Sequence, residues 1–96
     1  MDKVKVGING LGRIGRLALR AGWTNPALEF VRLNDPAGDA VTFAHLLNFD
    51  SVHGIWRHNA SAEGTNIVIN GKTIAVTDNK AISDTDWSGC DLVIEA

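Results

Sequence analysis

Three glycines, Gly10, Gly12 and Gly15, and an aspartate twenty residues after the last of them, Asp35, are the residues whose types and spacing could do chemistry. The chemistry is the holding of a pyrophosphate by main chain. Gly10 can take a tight turn, Gly12 lets a pyrophosphate come close because it has no side chain, and Gly15 lets a following helix pack closely on a sheet. A helix that opens at the loop aims its unpaired N–H groups and the positive end of its dipole at the phosphates. Asp35 offers a carboxylate that can accept both hydroxyls of an adenosine ribose and repel a 2′-phosphate, which favours NAD over NADP. Flavin- and S-adenosylmethionine-binding folds also follow a glycine loop with an acid, so at this point those ligands stay open.

These residues need particular elements to position them. Val4, Val6 and Ile8 alternate with Lys5 and Gly7, which predicts a short strand running into the loop. After the loop, Ile14, Leu17, Ala18 and Ala21 recur at helical spacing and are expected to face the sheet, with Arg13, Arg16 and Arg20 on the opposite or flanking stripe. Cations in the first turn oppose the helix dipole unless an anion neutralises them, so Arg13 and Arg16 point to a phosphate or an acidic partner. Gly22 can end the helix and Asn25-Pro26 can turn the chain. Residues 28–33 read as a second, apolar parallel strand that places Asn34 and Asp35 at its carboxyl end.

Further along, Asp39 caps an expected helix from about 39 to 48, and residues 54–60 read as extended. Residues 66–77 read as two antiparallel strands folded about Asn70-Gly71, extending one edge of the sheet. Residues 84–88 read as a turn, and 91–95 as a short buried strand beside the first one. Trp23 is expected to plug the end of the first helix, with Trp56 and Trp87 packing at element ends. The fold class expected is α/β, a Rossmann-type doubly wound parallel sheet, truncated after its fourth parallel strand and carrying an antiparallel edge extension. Residues 1–96 form part of one dinucleotide-binding domain.

Residues 6–16, Asn34-Asp35-Pro36 and residues 49–54, in this order and spacing, resemble the amino-terminal part of phosphorylating glyceraldehyde-3-phosphate dehydrogenase. Residues 68–74 and 91–96 extend the resemblance over the whole chain. Leu11 stands where that family usually has Phe, and Lys80 where many members place an Arg near the adenine. The resemblance implies NAD as cofactor, with Asn9, Gly10, Gly12, Arg13, Ile14, Gly15, Asn34, Asp35 and Lys80 as its binding residues. It implies that the catalytic Cys and its activating His lie beyond Ala96, so that this chain holds no catalytic residue and is inactive alone. It also implies a small aldehyde phosphate substrate and a homotetramer for the full-length enzyme. Residues 36–40, 44–47 and 86–91 look more like the branch associated with bacterial arsenic resistance, which implies arsenate as acyl acceptor. A reading from another class is a noncatalytic NAD-binding or association module.

Composition narrows the alternatives. The chain has 96 residues, 45% of them hydrophobic and 21% charged, with a net charge of −2. No run of Lys or Arg offers a footprint for nucleic acid, and no apolar run approaches a membrane span, so neither partner is expected. The chain enters a strand directly after Met1-Asp2-Lys3, without a signal-peptide apolar region, and a cytoplasmic protein is expected. Its single cysteine, Cys90, cannot form an internal disulfide; with Asp91 beside it and no His nearby in sequence, it reads as a packing residue. His45, His53 and His58 lack metal-ligand spacing, and no metal site is expected. His53 is expected to help hold a loop.

Overall fold

A computed structural model describes residues 3–50, 54–56, 58–80, 83 and 85–96. The chain runs β1 (Val4–Asn9), α1 (Arg13–Gly22), β2 (Leu28–Asn34), α2 (Ala40–Asn48), β3 (Phe49–Asp50), β4 (Gly54–Ile55), β5 (Ala60–Glu63), β6 (Asn66–Ile69), β7 (Lys72–Thr77) and β8 (Leu92–Glu95). Six strands make one mixed sheet in the order β5-β6-β7-β2-β1-β8, and β3 pairs with β4 in a separate short ribbon. β7, β2, β1 and β8 are mutually parallel, while β5 and β6 are joined antiparallel at the β7 edge. This is a Rossmann-type α/β fold.

The alternation in β1 buries Val6 and Ile8, and β2 adds Phe30 and Leu33. The other sheet contributions, Ile67, Ile69 and Ile74, join the same core, which Leu19 of α1 and Phe43 and Leu47 of α2 enter from the helices. Burial of such side chains stabilises the fold by roughly 1.5–3 kcal/mol apiece.

Four expectations need correction. The face of α1 on the sheet is not the one read from its large apolar residues: Gly15 and Leu19 are buried, whereas Ile14 is 65% exposed and Leu17 and Ala21 also face outward. Glycine decides this orientation. A Cβ on Gly15 would overlap the Gly10 carbonyl oxygen, and one on Gly22 would lie 2.9 Å from the Phe30 ring, so the helix seats where it has no side chain. Second, β7 is not part of an antiparallel edge addition alone, since it pairs parallel with β2 and serves as the third parallel strand. Third, residues 54–60 are not one extended segment: β4 ends at Ile55, and Ala60 already belongs to β5. Fourth, residues 91–95 are not a buried strand: in β8 Leu92 is 50% exposed, Glu95 is exposed, and Val93 and Ile94 are half-buried. A second hairpin, β5 to β6, which the sequence reading did not include, turns at Gly64, whose φ is +62°.

The remaining elements agree with the sequence reading. The Asp39 carboxylate caps α2 by accepting the Thr42 N–H at 2.9 Å. Asn70 and Gly71 take φ values of +51° and +82° and turn β6 into β7. Trp23 closes the end of α1, with its ring 6.3 Å from those of Phe30 and Trp56. His53 and its neighbours Ser51 and Val52 lie outside the described residues, as does Asp84.

The connection from β7 to β8 contains no α-helix among its described residues, although parallel strands are usually joined through one. Trp87 covers the sheet instead. A Cβ on Gly7 would stand 2.6 Å from the Trp87 ring and 2.8 Å from Cys90 Sγ, so the middle of β1 is bare because Trp87 and Cys90 occupy that space. Cys90 is half-buried; burial pushes its thiol up, Asp91 and Asp86 add to the effect, and Arg32 opposes it. It therefore has the character of a packing thiol rather than of a nucleophile.

Candidate functional site

β1 and β2 end side by side at Asn9 and Asn34, and the loop that follows β1 is fastened to both. Gly10 takes φ +108°, which a side-chain-bearing residue rarely adopts, and its N–H donates to the Asn34 carbonyl at 2.7 Å. Leu11 is fully buried and donates its N–H to Asp35 Oδ2 at 2.6 Å. Arg16 reaches back from α1 and donates to the Leu11 carbonyl at 2.9 Å. The loop is thus held from β2 on one side and from α1 on the other before any ligand arrives.

Gly12 occupies the N-cap of α1 and provides no side-chain cap, and no acid lies in the first turn. By helix geometry the N–H groups of Arg13, Ile14 and Gly15 have no acceptor one turn back. A Cβ placed on Gly12 would meet nothing within 4 Å. An uncapped helix start with open space before it fits an anionic group, and the opening at Gly12 fits the close approach of a pyrophosphate.

Asp35 is buried at the carboxyl end of β2, 8% exposed. Its Oδ2 holds Leu11 and its Oδ1 accepts the Ala37 N–H at 2.7 Å. Each carboxylate oxygen has a further lone pair, so the group can brace the loop and still accept ribose hydroxyls. Two other predicted residues are more fully committed. Asn34, 1% exposed, donates to Asn9 Oδ1 and to the Asn79 carbonyl and accepts from Thr77 Oγ1 and the Asn79 N–H. Asn9 in turn donates to the Glu95 carboxylate. Their side chains knit the strand ends together. Arg13 and Ile14 are exposed in the first turn of α1, and Lys80 is exposed one residue after Asn79.

Sequence reasoning missed Glu95, Thr77 and Asn79. The signal was present for Glu95, because it ends a parallel strand beside β1 just as Asn34 ends β2. A cavity of about 290 Å³ between the start of α2 and the Gly64–Thr65 turn is lined in part by Gly38, Asp39, Val41, Thr77 and Asp78, and by none of the glycine-loop residues. Among the described residues no group of three or more His, Cys, Asp or Glu could hold a metal ion, and no helix is long and apolar enough to cross a membrane.

A parallel sheet with a glycine loop leading from its central strand into a helix, and an acid at the end of the next strand, defines a dinucleotide-binding domain. Residues 4–96 match the family described as "Glyceraldehyde 3-phosphate dehydrogenase, NAD binding domain". The chain belongs to that family, and NAD is its cofactor. It is 52% identical over 95 residues to "Glyceraldehyde-3-phosphate dehydrogenase 3" of Nostoc sp., covering 97% of this chain and 28% of the relative. Over the same length and shares it is 47% identical to "Glyceraldehyde-3-phosphate dehydrogenase 1" of Bacillus subtilis and 48% identical to the enzyme so named from Geobacillus stearothermophilus. The chain thus spans a little over a quarter of the length of these relatives.

Proposed function

We propose that this chain is the cofactor-holding part of an oxidoreductase that converts a small aldehyde phosphate to an acyl phosphate. In this reading the substrate carbon is carried as a thioester on a cysteine outside these 96 residues. NAD supplies the acceptor for the hydride. The observation that carries the reading is the preformed loop: Gly12 open, α1 uncapped, and Asp35 fixed beside it by Leu11 and Ala37.

The chain's own residues bind and orient. Gly10, Gly12 and the first turn of α1, Arg13 to Gly15, receive the pyrophosphate; Asp35 receives the adenosine ribose; Lys80 is assigned to the adenine on the resemblance. Asn9 and Asn34 hold the strand ends from which these groups project. The resemblance to the arsenic-resistance branch draws no support from the relatives above, and the proposal is made for phosphate as acyl acceptor.

Cys90, half-buried with its thiol pushed up, supports the companion reading that the chain by itself binds cofactor without turning over substrate. A homotetramer in the cytoplasm is proposed for the full-length enzyme. The association draws support from large apolar side chains left outside on α2 and the β3–β4 ribbon, where Val41 is 65%, Phe49 52% and Ile55 80% exposed. Titration of the purified protein with NAD, NADP, FAD and S-adenosylmethionine by calorimetry tests the cofactor reading. Heat and a thermal shift with NAD alone are expected; a preference for either of the last two would overturn it.

A further inference from the structure

The carboxyl ends of the four parallel strands are linked by side chains that hydrogen-bond in a single direction. Thr77 Oγ1 at the end of β7 donates to Asn34 Oδ1 at 2.6 Å. Asn34 Nδ2 at the end of β2 donates to Asn9 Oδ1 at 2.9 Å. Asn9 Nδ2 at the end of β1 donates to the two Glu95 oxygens at 3.1 and 3.2 Å, at the end of β8. A second donor, the Asn79 N–H, reaches Asn34 Oδ1 at 2.9 Å.

An asparagine amide offers a donor at one end and an acceptor at the other, and a half-turn exchanges them. An ionised carboxylate only accepts, and a backbone N–H only donates. Glu95 therefore draws Asn9 Nδ2 toward itself, which turns Asn9 Oδ1 toward Asn34. Asn34 must then present Nδ2 to Asn9, leaving its own Oδ1 for the Asn79 N–H. Both ends of the chain of bonds demand the same polarity. Because Asn34 is 1% exposed, a reversed amide there would bury unpaired groups, at a cost well above that of an exposed flip.

We propose that Glu95 is a positioning residue for the cofactor cleft, acting through Asn9 and Asn34 to hold the glycine loop and the Asn79–Lys80 segment in one fixed arrangement. The Gly10 N–H donates to the main-chain carbonyl of Asn34, so the residue whose side chain these bonds orient also holds the loop by its backbone, and the Asn79 carbonyl accepts from Asn34 Nδ2 at 3.0 Å. Glu95 is thereby linked through two amides to the residue that holds the glycine loop and to the segment that leads to Lys80. The inference rests on the cleft being the NAD site.

The test uses ¹⁵N-labelled protein carrying Glu95→Ala or Glu95→Gln, followed by heteronuclear NMR without ligand and then by NAD titration. Glu95→Ala is expected to shift the Asn34 side-chain and Asn79 backbone signals, two and three residues along the chain of bonds, and to speed exchange of the Asn34 amide protons. It is expected to weaken NAD by about three- to tenfold, the scale of one lost hydrogen bond. Glu95→Gln keeps an acceptor for Asn9 and is expected to restore most of both effects. Asn34 and Asn79 signals unmoved in Glu95→Ala, or equal behaviour of the Ala and Gln variants, would overturn the proposal. Wild-type protein in which NAD moves no signal of Gly12 or Asp35 would overturn the cofactor reading instead, and the ligand-free spectra would still decide the role of Glu95.

Discussion

The Asp35 carboxylate accepts the Leu11 N–H at 2.6 Å, so the acid at the end of β2 is itself a strut of the glycine loop at the end of β1. The residue proposed to meet the ribose and the residue that shapes the loop are therefore one and the same. Its other oxygen holds the Ala37 N–H, which fixes the carboxylate plane before a ribose can arrive.

Asp35→Ala is expected to weaken NAD by ~1.5–3 kcal/mol, as for a lost charged hydrogen bond, and to weaken NADP less or strengthen it. It should also loosen the loop in the free protein, seen as faster amide exchange at Leu11. Unchanged NAD affinity by calorimetry would remove Asp35 from the ribose site.

Two glycines separate binding from folding. Gly15→Ala places a methyl group on the Gly10 carbonyl and is expected to destabilise the protein by ~3 kcal/mol or more, because backbone cannot move aside cheaply. Gly12→Ala meets nothing within 4 Å and should leave the urea midpoint almost unchanged while lowering NAD affinity at least tenfold. A Gly12→Ala protein that binds NAD normally would show that the pyrophosphate lies elsewhere.

At Gly7 a methyl group would press on the Trp87 ring and on Cys90 Sγ. Gly7→Ala is expected to cost about 1–3 kcal/mol by overpacking and to shift Trp emission to the red as Trp87 is lifted from the sheet. Denaturant melts followed by fluorescence check this; unaltered emission would mean that another tryptophan dominates or that Trp87 does not cover β1.

The cap of α2 gives a pH dependence with a definite sign. The Thr42 N–H that Asp39 accepts holds its carboxyl below the ordinary value of 3.8. The folded form is then the stronger acid, so the cap's contribution is complete above that ordinary value and is lost as pH falls through the lower, folded one. Amide exchange in the first turn of α2 should accelerate only in that acid range. Asp39→Asn, which keeps a capping oxygen but does not titrate there, should flatten the profile.

β8 pairs with β1 along one edge, and its other edge has no partner strand among the described residues. Leu92 is 50% exposed on that strand, so the isolated chain is expected to self-associate as its concentration rises. Leu92→Lys should suppress this in light scattering while leaving the far-ultraviolet spectrum intact. A wild-type chain that stays monomeric at high concentration would show that the edge is covered.

The strand, loop, helix and acid of the candidate site were legible as structure because their pattern is local: alternation in residues 4–8, glycines at fixed spacing, and Asp35 just past an apolar run. The packing face of α1 was not, since its decisive residue is Gly15, which has no side chain to enter an apolar pattern. The bracing role of the Asn34 side chain was illegible for a related reason. Its partners Asn9, Thr77 and Asn79 lie on other strands or just past one, and pairing across a sheet cannot be read from spacing along one segment. The β5–β6 hairpin escaped notice because Ala60–Glu63 has neither strong alternation nor branched residues.

The position of β1 between β2 and β8 has a consequence for biosynthesis. The strand that begins at Val4 completes its pairing only with residues 92–95, so one of its edges stays open on the ribosome while the intervening chain is made, on the order of ten seconds at ordinary elongation rates. The partners that brace the glycine loop, Asn34, Asp35 and Arg16, all lie within the first 35 residues. The residues that brace the loop are therefore synthesised well before the sheet can be completed, and that interval is when a chaperone is expected to have its greatest effect on yield.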